Sequence, residues 1–212
     1  MDFVALRANL AVLSKDFNHM CGKLFIISAP SGAGKTSLVD AVLCRLKPVC
    51  SIDRAITYTS RCKRKGEQEG VDFHFLSDDE FKCRIDQGFF VEWSCEYGHY
   101  YGSPACIVDD LQVGCSRILV IDRKGAMQVL EHIKDPVLIW IQVKNLDVLK
   151  SRLLSRGLNT KEQIEERLKL AKIEIEQEAK NPFYKYHILN DVFDQAAKNL
   201  ELIFLKELEL SL

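Results

Sequence analysis

The spacing of apolar positions changes repeatedly along this chain, and each change marks an element. In the first segment Phe3, Leu6, Leu10, Leu13 and Phe17 recur at alternating intervals of three and four, with Asp2 available as a cap. That period predicts an amphipathic helix whose stripe packs on its own domain or against another subunit. Short apolar runs follow: "LFIIS" (24–28), "RILVID" (117–122), "VLIWIQV" (137–143) and "YHILN" (186–190), with "IDRAIT" (52–57) a weaker fifth. Their unbroken apolar character predicts strands covered on both faces. Helical spacings separate them: Leu38, Val42, Leu43 and Leu46; Leu149, Leu153 and Leu154; Ile164, Leu168, Ala171 and Ile175; then Leu200, Phe204 and Leu208. Strands alternating with helices predict an α/β fold, a five-stranded mostly parallel sheet flanked by helices.

Two stretches interrupt the alternation. Residues 58–105 are rich in Gly, Tyr, Phe and charge, carry short pieces such as "FFVEW" (89–93), and read as a small mixed insertion. Residues 149–185 form charged helices with little continuous apolar surface and read as a mobile lid. No repeat or low-complexity linker separates these parts. The expected organisation is an extension over 1–21 and one domain over 22–208, whose core comprises 22–57, 106–148 and 186–208.

Composition narrows the chemistry. A net charge of −1 over 212 residues lacks the basic excess of a sequence-independent nucleic-acid binder, so any phosphate chemistry must be local. The eight cysteines never form C-x-x-C and no histidine pair gives a zinc spacing, which predicts scattered reduced thiols. No run reaches the roughly 18 apolar residues of a membrane span, and no basic segment precedes an apolar core at the N-terminus. A cytoplasmic protein is expected.

The sharpest local signal is "IISAPSGAGKTSLVD" (26–40). A phosphate-binding loop needs consecutive inward N–H groups, residues free to take unusual dihedrals, and delivery of the phosphates to a helix N-terminus. Gly32 and Gly34 meet the conformational need, and the loop lies between a buried strand and an amphipathic helix. An ordinary glycine-rich turn would explain the glycines but not Lys35 and Thr36 at the helix start. In that reading Lys35 reaches the β and γ phosphates of a nucleoside triphosphate, and the Thr36 hydroxyl ligates Mg²⁺. Ala29 stands where the usual loop pattern has glycine, a position that tolerates a Cβ at negative φ.

Behind the loop come "ITYTSRCKRKGEQEGVDFHF" (56–75) and "FFVEWSCEYGHYYGSP" (89–104), and with them the chain resembles the guanylate kinases. The family's loop reads S-G-P-S-G-x-G-K-[ST], and its acceptor segment [ST]-x-T-T-R-x-P-R-x-G-E-x-x-G-x-D-Y. Then come F-[IL]-E-W, Y-Y-G-[ST] and a lid with R-L-x-x-R-G. Arg61, Arg64, Glu92, Tyr101 and Ser103 match the acceptor motifs, Arg152, Arg156 and Arg167 the lid, and "ILND" (188–191) the adenine segment. The resemblance runs from about 22 to 208 in unbroken order.

The resemblance implies a P-loop NTPase fold with a GMP-binding insertion and helical lid. It also implies transfer of the γ-phosphoryl group of ATP to GMP, giving ADP and GDP, for guanine nucleotide synthesis and recycling. ATP and GMP would be the partners, dGMP a second acceptor because nothing identified reads the ribose, and Mg²⁺ the cofactor. No nucleic acid or membrane enters, and the chain would be a monomer or homodimer. ATP would bind Ala29, Pro30, Ser31, Gly32, Ala33, Gly34, Lys35, Thr36, Ser37 and Asn190. Catalysis would fall to Lys35, Arg152, Arg156 and Arg167. GMP would bind Thr57, Arg61, Arg64, Phe73, Glu92, Tyr101, Ser103 and Asp122, with Asp122 either joining the Mg²⁺ shell through water or orienting the acceptor.

The residue types suit that chemistry. Guanine offers an O6 acceptor beside N1–H and 2-amino donors, so a carboxylate with a neighbouring hydroxyl reads it. Four departures from the pattern stand out: Ala29; Phe73 for a tyrosine whose hydroxyl contacts the GMP phosphate; Val120 for an acid two residues before Asp122; and Lys63 for the proline between the arginines. Two rivals are a peptide-binding guanylate-kinase-like scaffold, which loses loop residues that Lys35 and Thr36 retain, and a kinase of phosphorylated sugars, which has no need of Glu92 and Tyr101 together.

Overall fold

The computed structural model describes residues 22–96, 98–155 and 160–210. The expected N-terminal helix over 1–21 and Arg156 lie outside the described residues. The strands are β1 (Leu24–Ser28), β2 (Ile52–Arg54), β3 (Tyr58–Thr59), β4 (His74–Phe75), β5 (Phe90–Glu96), β6 (His99–Pro104), β7 (Ser116–Val120), β8 (Val137–Gln142) and β9 (Tyr186–Leu189). The helices are α1 (Lys35–Leu46), α2 (Asp78–Asp86), α3 (Ile107–Gln112), α4 (Arg123–His132), α5 (Leu146–Ser155), α6 (Lys161–Lys180) and α7 (Phe193–Glu207).

The predicted apolar runs build one five-stranded sheet in the order β2-β7-β1-β8-β9, flanked by helices. β1 pairs in parallel with β8, and β8 with β9. Every residue of β1 is buried, as a doubly covered strand requires. "RILVID" leaves the sheet at Val120 rather than Asp122, "YHILN" at Leu189 rather than Asn190, and "IDRAIT" contributes only Ile52–Arg54. For the first two runs the polar residue, Asp122 or Asn190, stands just past the carboxyl end of its strand, where open α/β sheets build sites.

The helical stripes differ in detail from the reading. In α1 the buried face is Leu38, Val39, Val42 and Leu46, with Leu43 only half buried. In α5 Leu149 and Leu153 are buried, but Leu154, one residue further round the helix, is 53% exposed.

The described residues divide into two compact units. One holds Phe25–Ile52, Val120–Arg123 and the described residues from Val137 onward; the other holds the described residues of Asp53–Leu119, together with Lys124–Pro136 and residues 22–24. The second unit carries a mixed sheet in the order β4-β3-β6-β5, with β3 and β4 parallel and the other pairs antiparallel. Its apolar face is aromatic. Phe81 of α2 is fully buried and stacks on Phe90 at 4.5 Å and Tyr100 at 5.4 Å. Burying such a ring contributes about 1.5–3 kcal/mol. A Cβ at Gly102 would lie 2.9 Å from Phe90 and 3.0 Å from Phe81, so glycine is what lets the rings close on β6. α2 begins at a capping box in which Ser77 and Glu80 satisfy each other's backbone N–H.

Candidate functional site

In the first unit the loop of residues 29–34 joins β1 to α1. Gly32 and Gly34 take φ of 90° and 92°, the left-handed region that their neighbours with a Cβ avoid. The turn closes through Ala33 N–H to Pro30 O at 3.1 Å. Gly34 caps α1 with no side-chain acceptor, and the first turn holds no acid. The positive end of a twelve-residue helix is thereby aimed from the loop without a carboxylate of its own.

Distant residues hold this loop. Arg152 donates to Ala33 O at 3.1 Å and to Asn190 O at 2.9 Å. Asn190, 3% exposed, donates its amide to the same Ala33 carbonyl at 2.7 Å, while its side-chain oxygen is buried with no hydrogen bond among the described residues. Arg167 reaches the Ser31 hydroxyl at 3.3 Å, and Lys35 Nζ donates to Ala29 O at 2.5 Å. The structure thus gathers Lys35, Arg152, Arg167 and Asn190 around Ala29–Gly34. Ala29 is itself 1% exposed, so its methyl packs inward, consistent with a tolerated departure. Thr36 and Ser37 stand exposed on the first turn of α1. Asp122 lies in the same unit, past the end of β7, where its backbone oxygen accepts from the Ser28 hydroxyl at 3.4 Å.

In the second unit the pleat sorts side chains by face. Opposed residues on antiparallel strands share a face. Glu92 pairs with Ser103, and Ser94 and Thr59 with Tyr101, so these form a polar face opposite the aromatic one. Thr57, the residue before β3, is 9% exposed. Glu92 is 4% exposed, and Ser103, fully buried, donates to its Oε1 at 2.5 Å. A buried carboxylate held by a hydroxyl is built rather than incidental, because solvent does not stabilise its charge.

Arg61 is also shielded, 7% exposed. It donates from Nη1 to Cys62 O at 2.7 Å and from Nη2 to Glu67 Oε1 at 2.7 Å. Its guanidinium lies 5.5 Å from the Phe73 ring centre and 5.9 Å from that of Phe75, and Phe73 meets Tyr101 at 6.2 Å. Burial works against the Arg61 charge, but the Glu67 hydrogen bond and the nearby Tyr101 outweigh it and raise the pKa above the ordinary guanidinium value. Glu67 was not singled out in the sequence. Its other oxygen accepts the Arg64 backbone N–H at 2.8 Å, so one carboxylate ties together the segment carrying both arginines. Burial pushes the Glu67 carboxyl up, while these hydrogen bonds outweigh burial and hold it below the usual range. The available signal was an acid spaced three and six residues after two arginines, in a turn opened by Gly66.

The comparisons with known proteins agree in one direction. The guanylate kinase family model matches residues 21–207. The chain is 40% identical over 187 residues to guanylate kinase of Idiomarina loihiensis, covering 88% of this chain and 87% of that one. It is 42% identical over 187 residues to guanylate kinase of Hahella chejuensis, with the same shares, 88% and 87%. Among solved structures, guanylate kinase from Anaplasma phagocytophilum matches with a TM-score of 0.69 and 28% identity, covering 88% of this chain and 86% of that one. Because the match runs through the residues of both compact units rather than through the loop alone, the chain belongs to the guanylate kinase family.

Proposed function

We propose that this chain transfers the γ-phosphoryl group of ATP to GMP, giving ADP and GDP. The observation that carries the reading is the buried Glu92 carboxylate, held by Ser103 on the polar face of the small sheet. A carboxylate there accepts the N1–H and 2-amino donors of guanine and would meet a lone pair in adenine. Thr57 supplies a hydroxyl for O6. Arg61, Arg64 and Tyr101 hold the monophosphate, and Glu67 together with the Phe73 ring keeps Arg61 in place before it binds.

On the donor side the N–H groups of the loop and the start of α1 receive the triphosphate, with Lys35 moving from the Ala29 carbonyl to the β and γ phosphates. A phosphate monoester presents an anionic oxygen at neutral pH, so the chain needs no strong general base. Its work is to bring two anions together and to exclude water. Arg152, Arg167 and Arg156 supply positive charge at the transferring group. The exposed Thr36 hydroxyl is an oxygen donor of the kind Mg²⁺ accepts, and a site completed by substrate phosphates and water needs few protein ligands. Mg²⁺ would neutralise phosphate charge there, with Asp122 in its outer shell or at the acceptor. The same reading takes dGMP as a second acceptor and the cytoplasm as the location.

A coupled assay of ADP formation with GMP, AMP, CMP or UMP tests this. Turnover restricted to GMP is expected; equal turnover of AMP would defeat the Glu92 argument, and reaction with a phosphorylated sugar alone would favour the sugar-kinase rival.

A further inference from the structure

Apart from both half-sites, Glu178 near the end of α6 is 4% exposed yet gathers donors from several directions. Its Oε2 accepts from the Arg123 guanidinium. Its Oε1 accepts from the backbone N–H of Phe183 at 3.0 Å and of Tyr184 at 3.2 Å, and meets His187 Nε2 at 3.0 Å. Arg123 also donates to Asn181 O at 3.0 Å and lies 4.9 Å from the Phe183 ring centre.

Local helix energetics do not account for this pair. Arg123 is the first residue of α4, where the helix dipole disfavours a cation. The side chains of Arg123 and Glu178 are 11% and 4% exposed, and an apolar pair would fill such a place at equal or better stability. The pair does, however, join pieces that matter to the reaction. Arg123 directly follows Asp122. Glu178 stands in the last turn of the helix that carries Arg167. Through the Tyr184 backbone it fixes a ring that packs on Trp140 at 5.2 Å and whose hydroxyl is buried. Through His187 it grips β9, which leads to Asn190.

We propose that Glu178 and Arg123 form a clamp that positions Asp122 and the lid helix α6 for phosphoryl transfer. The proposal rests on the kinase reading above. Glu178 and Arg123 touch neither substrate, so they are positioning residues. Their loss should act on kcat more than on GMP binding.

The test compares Glu178→Gln, Asp122→Asn and the double variant in the ATP and GMP assay, with GMP binding by calorimetry and thermal unfolding beside it. Glu178→Gln should lower kcat by about tenfold to a hundredfold, the scale of a displaced reacting group. GMP Kd should stay within about twofold, and the double variant should be no worse than the stronger single one. Arg123→Lys should retain most of kcat and Arg123→Met should not, which supplies the same comparison if Glu178→Gln does not fold. An unaffected kcat in Glu178→Gln, or losses that add with Asp122→Asn, overturns the clamp while wild-type turnover of GMP stands. A wild-type chain that turns over no GMP overturns the kinase reading itself.

Discussion

The donor loop and the acceptor sheet that we propose are built by opposite means. The loop of residues 29–34 uses backbone: two glycines at positive φ, a helix start without an acid, and the Ala33 carbonyl tied down from afar by Arg152 and Asn190. The small sheet uses side chains: Glu92, Ser103, Arg61 and Tyr101, sorted to their places by the pleat and restrained by Ser103 and Glu67. A backbone cradle is written in contiguous residues and fails when a dihedral is denied. A side-chain site is written at spacings set by strand pairing and fails one contact at a time.

The sharpest break of that contrast comes from Lys35→Ala. It should lower kcat by at least about a hundredfold, the cost of a lost electrostatic stabiliser of the transition state, while calorimetry finds GMP binding intact. Loss of GMP binding as well would erase the division into donor and acceptor halves. Next in size is Glu92→Gln, which removes a buried charge from the acceptor side. GMP kcat/KM should fall by roughly ten- to a hundredfold, about 1.5–3 kcal/mol for a charged hydrogen bond, with ATP KM unchanged.

Glycine substitutions separate dihedral strain from crowding. Gly34→Ala meets both, since φ is 92° and its Cβ would stand 2.8 Å from Asn190 Nδ2, so ATP affinity and unfolding temperature should both drop. Gly66→Ala has the same φ of 92° with nothing within 4 Å. It should cost only the left-handed strain, about 1–2 kcal/mol, read as a small shift in chemical denaturation. Equal losses in the two would show that crowding at Asn190 is unimportant.

Smaller effects concern Arg61. Phe73→Tyr restores a hydroxyl beside Tyr101 and Arg61 and should lower GMP KM by roughly two- to tenfold, one net hydrogen bond; no improvement would sink the idea. The Glu67 carboxyl is held below its ordinary pKa, so its contribution is fully present above the usual glutamate value of about 4.3 and disappears as pH falls through the folded value. Glu67→Gln should therefore lower stability at neutral pH, leave it nearly unchanged at low pH where Glu67 is protonated, and so flatten the acid limb of a stability profile; an unaltered acid limb would show that Glu67 bears no such load.

Much of this was legible in sequence because two signals are local. An apolar run covered on both faces needs no partner to be recognised, and β1 and β8 begin where "LFIIS" and "VLIWIQV" do. The loop was legible because backbone chemistry demands glycines and a lysine in fixed order. Strand ends were less so: Val120 and Leu189 end their strands one or two residues early, since a polar residue closing an apolar run can join the ladder or leave it. Glu67 was missed because its role is to hold another side chain, and an acid in a charged turn looks like any solvated acid until Arg61 is found against it.

The sequence by itself determined the α/β alternation, the loop with its glycines and Lys35, and the ordered set of arginines, Glu92, Tyr101 and Ser103, because period, dihedral demand and residue chemistry are properties of short stretches. The tertiary structure alone decided that Ser103 would hold Glu92, that Glu67 would hold Arg61, that Arg152 and Asn190 would meet on one carbonyl, and that Arg123 would find Glu178. These pairs join residues between 6 and 157 positions apart. Strand pairing and helix packing bring such residues together, and no local propensity records which partners will meet.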